Sequence, residues 1–343
     1  MELTRLIAKV TDGHDLTVAE AAAAFGQVMS GQASPVQIAA LLAGLRTKGH
    51  APAEVAGGVQ ALRGAMIRVQ APTDRVLVDT CGTGGGSVGT FNISTAAAFV
   101  VAGAGVGVAK HGNRSFTSRS GSADVLEALG VNIQLTPEAM GRVLAKTGIV
   151  FMFAPLLHPA MRHVGPVRKE LGIPTIMNLL GPLTNPAGVR RQVVGVADPD
   201  AVPIIARALQ ELGHERAMVV HGSPGMDELS PLGVTRVAEL RDGEVHEFEV
   251  GLGELGLPTA SAEEIAGGTP EENAGRILSV LEGRDVGGAL TVTLLNAAAG
   301  LYVAGASRSL GEGVARAREV ISSGAALRAL NALKEASSAE RSS

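Results

Sequence analysis

Along the first seventy residues apolar positions recur three and four apart with no period-two stretch, so this part reads as helix throughout. Leu3–Val10 predicts one amphipathic helix. Thr17 with Glu20 makes a capping box ahead of AEAAAAFGQVMSG. Ser34-Pro35 opens VQIAALLAGLRTKG with proline at the first helical position. Pro52-Ala53-Glu54 opens a third run predicted to reach about Val69, and Gly31 and Gly49 stop the two before it.

From Arg75 the pattern changes. VLVDT (76–80), VGVAK (106–110) and IVFMF (149–153) predict strands, separated by helices predicted at Ile93–Ala102, Ala123–Leu129 and Pro137–Thr147. Further strands are predicted at Gln192–Val196, Ala217–Val220, Arg236–Leu240 and Val245–Val250, the last two joined by a turn at Arg241-Asp242-Gly243. From Pro270 the pattern is helical again. Strands alternating with helices imply a parallel sheet covered on both faces. Residues 155–190 break the alternation: LLHPAMRHVGPVRKELG reads as a helix and NLLGPLTNPAG as a loop, which takes the chain back towards the N-terminal helices. The expected fold class is α/β. A small all-helical domain (1–70) is joined by a hinge (156–190) to a larger domain (75–155 and 191–343) with a central, mostly parallel sheet flanked by helices. The cleft then lies between the helical part and the sheet.

Composition narrows the class of function. With 343 residues, 46% hydrophobic and only 18% charged, the chain can bury a large core. Net charge is −4 and basic residues form no stripe, which argues against nucleic acid as a partner. The single cysteine, Cys81, excludes an internal disulfide and a cysteine-based zinc site. No uninterrupted run of about 18 apolar residues suggests a membrane span, and the N-terminus does not read as a signal peptide, so the cytoplasm is the default location. Glycine, 45 residues in all, clusters at 82–89, 103–107 and 121–130, where backbone must turn tightly or approach a ligand.

Three constellations carry candidate chemistry. The first is Asp79-Thr-Cys-Gly-Thr-Gly-Gly-Gly-Ser, directly after a strand, with Thr90-Phe-Asn-Ile-Ser-Thr opening the next helix. Glycines at a strand's carboxyl end let N–H groups close around phosphate oxygens, and the helix start would add free N–H groups with the hydroxyls of Ser94 and Thr95. The spacing fits neither a P-loop nor a dinucleotide fingerprint, and the same run can be a tight turn alone. The second, Lys110-His111-Gly112-Asn113-Arg114-Ser115 through Ser122, places cations among hydroxyls and glycines, as polyanion sites do. The third is Asp227-Glu228 after a strand, an oxygen-donor pair suited to Mg²⁺ but also common on surface turns. Cys81 is expected in the glycine loop as a packing residue. His158 and His163, five apart, do not make an i,i+4 metal pair.

Taken together, CGTGGGSVGTFNIST, KHGNRSFTSRSGSADVLEALG, MDELS and HPAMRHVGPVRKELGIPTIMNLLGPLTNP resemble the anthranilate phosphoribosyltransferases, in order and at the expected spacing to about residue 300. That resemblance implies a Mg²⁺-dependent homodimer of tryptophan biosynthesis acting on 5-phosphoribosyl 1-diphosphate and anthranilate. It implies that Gly82, Gly85 and Gly86 contact the phosphoribosyl diphosphate. Thr90, Asn92, Ser94, Thr95, Lys110 and Ser122 would hold its phosphates, with Ile93 in the same run. His111, Gly112, Asn113, Arg114, Ser115, Phe116, Thr117 and Ser118 would close over it. Ser94, Asp227 and Glu228 would bind Mg²⁺, and Asn113 and Arg168 would contact anthranilate, with His111 close by. Gly86 stands where the family commonly has Asp, and Arg119 where Lys is common. The rival readings are a pyrimidine nucleoside phosphorylase, whose loop has Lys-His-Ser before TGG where this chain has Asp79-Thr-Cys-Gly, and a non-catalytic nucleic-acid-binding member of the fold.

Overall fold

The computed structural model describes residues 2–72, 75–115 and 119–340. Four helices come first: α1 (Leu3–Thr11), α2 (Val18–Met29), α3 (Pro35–Lys48) and α4 (Pro52–Ala65). Reciprocal capping fixes the start of α2, where Glu20 N–H donates to Thr17 Oγ1 (3.3 Å) and Thr17 N–H to Glu20 Oε2 (2.9 Å). α4 stops short of the predicted Val69. Met66 is already extended, and the next backbone groups are used elsewhere: Ile67 N–H donates to Leu157 O (2.8 Å) and Val69 N–H to Pro186 O (3.1 Å).

The chain continues through β1 (Leu77–Gly82), α5 (Ile93–Gly103), β2 (Gly107–Gly112), α6 (Ser122–Ala128), α7 (Pro137–Thr147) and β3 (Ile149–Phe153). β1 runs two residues past its predicted end, because Cys81 and Gly82 pair with Val194 and Gly195. Cys81 is therefore a strand residue rather than a loop residue; it is buried, and its thiol is pushed well up by that burial.

The return segment differs most from expectation. In place of one helix it contains α8 (Ala154–Leu157), a 3₁₀ turn (Pro159–His163) and α9 (Gly165–Leu171). Pro159 and Pro166 lack the N–H that a continuous helix needs, and each lies in the first turn of its own short piece. The expected loop begins instead as α10 (Ile176–Leu180) and a 3₁₀ turn (Gly181–Leu183), since Ile176, Met177, Leu180 and Leu183 are buried against the N-terminal helices. Then follow β4 (Arg191–Gly195), α11 (Ala201–Glu211), β5 (Arg216–Gly222), β6 (Thr235–Arg241), β7 (Glu244–Val250), α12 (Pro270–Leu281), α13 (Gly288–Ala304), α14 (Leu310–Ser322) and α15 (Ala325–Ala339).

All seven strands form one sheet in the order β3-β2-β1-β4-β5-β6-β7. The pairs from β3 to β5 are parallel, and β6 and β7 add an antiparallel hairpin turning on Asp242-Gly243, both at positive φ (53° and 82°). Successive strand residues face opposite sides, and each side has its own core. Val193, Met218 and Val220 pack among α5 and α12–α15, whereas Val194, Ala217 and Val219 pack among α11 and the N-terminal helices.

Candidate active site

In the sheet β1 has β2 on one side, while the chain returns to β4 on the other. Strand order therefore reverses between β1 and β4, the place where open α/β sheets form a ligand crevice beyond the strands' carboxyl ends. There Gly82 lies level with Gly195, and β5 also ends in glycine, Gly222. A Cβ on Gly195 would run into the Asp227 backbone, and one on Gly222 into Glu228 O and the Ser230 side chain. These two glycines thus let the turn after β5 fold back across the reversal point. The turn is closed by Met226 N–H to Gly222 O (2.6 Å) and Gly222 N–H to Met226 O (2.9 Å). It delivers Asp227 and Glu228, the third constellation, onto the first.

The contact is made through the carboxylates. Gly84 N–H donates to Asp227 Oδ2 (2.9 Å), and Ser94 N–H to Glu228 Oε1 (3.1 Å). A Cβ on Gly82 or Gly86 would lie 2.9 or 2.8 Å from an Asp227 carboxylate oxygen, so the close approach those glycines permit is to Asp227. Gly84 and Gly85 take positive φ (69° and 83°), which exposes the outer arc of the loop. The expectation of free amides at the start of α5 is not met. Ser94 N–H is taken by Glu228, Ile93 N–H by Phe91 O (2.8 Å) and Thr95 N–H by Asn92 O (3.1 Å), while the Ile93 side chain is core. Hydroxyls remain. Thr95 Oγ1 is buried with no hydrogen-bond partner among the described residues. Thr90 bridges to Ala266, and Asn92 is held by Ser120 and Asn273, its Nδ2 donating to Ser120 O (3.2 Å) and its Oδ1 accepting from Asn273 Nδ2 (3.0 Å).

Lys110 joins the second constellation to the first. Its buried ammonium donates to Thr80 O (2.5 Å) and Ser94 Oγ (3.2 Å). Burial lowers its pKa, opposed by the negative charge of Asp79 and Glu228. Asp79, itself fully buried, accepts from His111 N–H on one oxygen (3.3 Å) and from Asn185 Nδ2 (2.8 Å) and Gln192 Nε2 (3.3 Å) on the other. Burial raises the pKa of Asp79, Asp227 and Glu228; for Glu228 the neighbouring Asp227 adds to the rise.

The following loop is less cationic than its sequence suggested. The Arg114 guanidinium is shared by Asp124 and Glu127, both at 2.6 Å, and sits 5.6 Å over the Phe153 ring. Those ion pairs already satisfy its charge. Ser122 Oγ donates to Asn113 O (3.2 Å), Ser115 N–H reaches Asp124 (3.4 Å), and a Cβ on Gly112 would meet the Phe151 ring at 2.8 Å. Phe116, Thr117 and Ser118 lie outside the described residues. Arg168, on α9, is half-buried; its guanidinium has no partner among the described residues, and burial lowers its pKa.

Two participants were missed in the sequence. His158, dismissed there as one of an unsuitable metal pair, places Nε2 3.2 Å from His111 Nε2, and burial takes the two imidazoles down to about 4 and about 3. Both are therefore neutral at pH 7. Gly195 is marked by the sequence only as a residue inside the strand predicted at Gln192–Val196; a glycine ending each of β1, β2, β4 and β5 is the available signal.

Two family profiles match, "Glycosyl transferase family, helical bundle domain" over residues 4–66 and "Glycosyl transferase family, a/b domain" over residues 74–327. The anthranilate phosphoribosyltransferase of Rhodopseudomonas palustris (strain BisB5) is 53% identical over 331 residues, covering 95% of this chain and 96% of that one. The enzyme of that name from Symbiobacterium thermophilum is 52% identical over 330 residues, covering 96% of each. Among solved structures, anthranilate phosphoribosyltransferase from Thermus thermophilus superposes with a TM-score of 0.92 at 45% identity, covering 97% of this chain and 99% of that one. The Saccharomyces cerevisiae enzyme in complex with PRPP and Mg gives 0.88 at 29% identity, covering 98% of each chain. With the reversal-point crevice, its glycine loop and its acidic pair in place, the chain belongs to the anthranilate phosphoribosyltransferase family.

Proposed function

We propose that the crevice binds 5-phosphoribosyl 1-diphosphate with Mg²⁺ and transfers its phosphoribosyl group to the amine of anthranilate, releasing diphosphate, as a step of tryptophan biosynthesis. The observation that carries this reading is the meeting of the Gly82–Gly86 loop, the hydroxyl-rich start of α5 and the half-buried Asp227-Glu228 pair at the carboxyl ends of β1 and β4. The full-length kinship to anthranilate phosphoribosyltransferases supports it.

The residues fit the metal. Asp227 and Glu228 are adjacent half-buried carboxylates whose mutual repulsion a hard cation relieves, and Mg²⁺ takes one or two protein carboxylates together with substrate phosphates. Among the described residues no group of three His, Cys, Asp or Glu would hold a metal by itself. Ser94 Oγ would accordingly join the two acids as a donor. Once bound, Mg²⁺ would neutralise charge on the departing diphosphate.

The chain's own groups do the positioning. The outer backbone of Gly82, Gly85 and Gly86, the side chains of Thr90, Asn92, Ser94, Thr95 and Ser122, and the Lys110 ammonium would hold phosphate oxygens, with residues 111–115 beside them. Arg168, half-buried and without a partner among the described residues, would take the anthranilate carboxylate, with Asn113 and the neutral His111–His158 pair beside the ring. In the transfer the C1–O bond to diphosphate breaks, the amine nitrogen's lone pair forms the new C1–N bond, and the nitrogen releases a proton. An aromatic amine is neutral at pH 7, so orientation and leaving-group stabilisation supply most of the rate.

Supported by the same kinship, the enzyme would act as a homodimer in the cytoplasm; none of the described helices is long and apolar enough to cross a membrane. The domain division proposed is 1–70, 75–155, 156–190 and 191–343, and the gap between the two family profiles at 66–74 supports its first boundary. The test is loss of anthranilate fluorescence with 5-phosphoribosyl 1-diphosphate and Mg²⁺, in a chain with no Trp and one Tyr to interfere. Turnover that stops on chelation is expected. Phosphorolysis of thymidine or uridine, with no turnover of anthranilate, would replace this reading by the nucleoside phosphorylase one.

A further inference from the structure

The acidic pair is held from both ends. Its upstream end is fixed by the Gly222–Met226 turn. Its downstream end is fixed by a residue from the far end of the chain, Asn296 on α13, which no sequence motif had marked. Asn296 Oδ1 accepts from Leu229 N–H (3.0 Å), and Nδ2 donates to Leu229 O (3.0 Å) and to Val292 O (2.9 Å). The amide thus pairs with both backbone groups of the residue next to Glu228, as a neighbouring strand would. The arrangement is sealed, with Leu229 0% and Asn296 3% exposed. Asn296 also faces, with Ser94, Thr80 and Cys81, the packing gap beside Glu228.

We infer that Asn296 is a positioning residue for the metal-binding carboxylates, setting where Glu228 stands relative to Ser94. This rests on the reading that Asp227 and Glu228 hold Mg²⁺. Truncating the amide strands Leu229 N–H and C=O where no water reaches them, and a buried unpaired backbone group drives the segment to move until it finds a partner. Glu228, one residue away, moves with it. Groups that orient metal ligands in this indirect way typically change metal affinity by about 10–100-fold when removed.

The experiment follows the melting temperature of the full-length enzyme during Mg²⁺ titration at fixed inorganic diphosphate, for the parent, Asn296→Ala and Leu240→Ala. Leu240 is a buried β6 residue whose truncation lowers stability without touching the acidic turn, so it controls for lost stability alone. For Asn296→Ala the Mg²⁺ concentration giving half the shift should rise about tenfold, with Leu240→Ala at the parent value. A rise of less than threefold, or an equal rise in Leu240→Ala, overturns the inference. If Asn296→Ala does not accumulate, Asn296→Ser takes its place, because its hydroxyl is too short to span both Leu229 groups. The double variant Asp227→Asn with Glu228→Gln separates the two layers. Should it keep the parent Mg²⁺ response, the metal reading itself falls; should it lose that response while Asn296→Ala keeps it, only the role of Asn296 falls.

Discussion

Asp79→Asn changes one oxygen to an NH₂ group of nearly the same size, so its effect is one of charge and hydrogen bonding. In the native protein one oxygen of Asp79 accepts from His111 N–H and the other from the Asn185 and Gln192 amides. The new amide has one oxygen for those two sets of donors. Its better orientation keeps Asn185 and Gln192 and turns NH₂ against His111 N–H, leaving a buried donor unpaired, at about 1–3 kcal/mol. Lys110, equally buried, also loses the strongest of the opposing charges that act on it. The expected loss is therefore at least that of the unpaired donor, about 1–3 kcal/mol. Urea unfolding measures it, with an unchanged m-value showing that the denatured state is unaltered. Burial would also drive Lys110 towards its neutral form, raising KM for 5-phosphoribosyl 1-diphosphate more than KM for anthranilate. A stability loss under about 1 kcal/mol with both KM values unchanged would refute the argument that this carboxylate anchors the Lys110-His111 strand end.

Gly195→Ala is expected to lose at least about 100-fold in kcat, because the Asp227 backbone, with its carbonyl oxygen 1.7 Å from where the methyl group would stand, must retreat by well over about 1 Å to admit it; normal turnover would show that the crossing is not tight. Arg168→Ala should raise KM for anthranilate at least tenfold and leave that for phosphoribosyl diphosphate within about twofold; equal increases would misplace the acceptor. His111 and His158, held at about 3 and about 4 chiefly by burial, should show no NMR titration near pH 6.5. Because their folded values lie below the unfolded one, their contribution to stability is complete above pH 6.5 and is lost as pH falls from there towards about 4 for His158 and about 3 for His111, at up to about 1.4 kcal/mol per unit for each. Midpoints near 6.5 would mean that both rings are solvated.

The sequence was informative where physics is local. Thr17 with Glu20 and Ser34 with Gln37 cap their helices through contacts three residues apart, and the β-branched runs before Gly82 and Gly112 declare strands by composition. What could not be read depends on distant partners. Ser94 N–H looked free until Glu228 arrived from 134 positions away. Arg114 looked available to a ligand, but the folding of α6 brings Asp124 and Glu127 against it. The breaks around Pro159 and Pro166 could have been foreseen, since both prolines were in plain view; the helical α10 could not, because only packing against the N-terminal helices makes Ile176, Met177 and Leu180 prefer that form.

The alternation of β4 and β5 residues between two cores bears on how the molecule comes apart. Val193 and Val194 are consecutive, yet one supports the α5–α13 side and the other the layer that includes α1–α4. Melting either layer would strip one face of the same strands and leave their remaining face to hold a sheet open to water. The two regions recognised as separate family domains should therefore share one cooperative transition, seen in calorimetry as a single endotherm whose van't Hoff and calorimetric enthalpies agree.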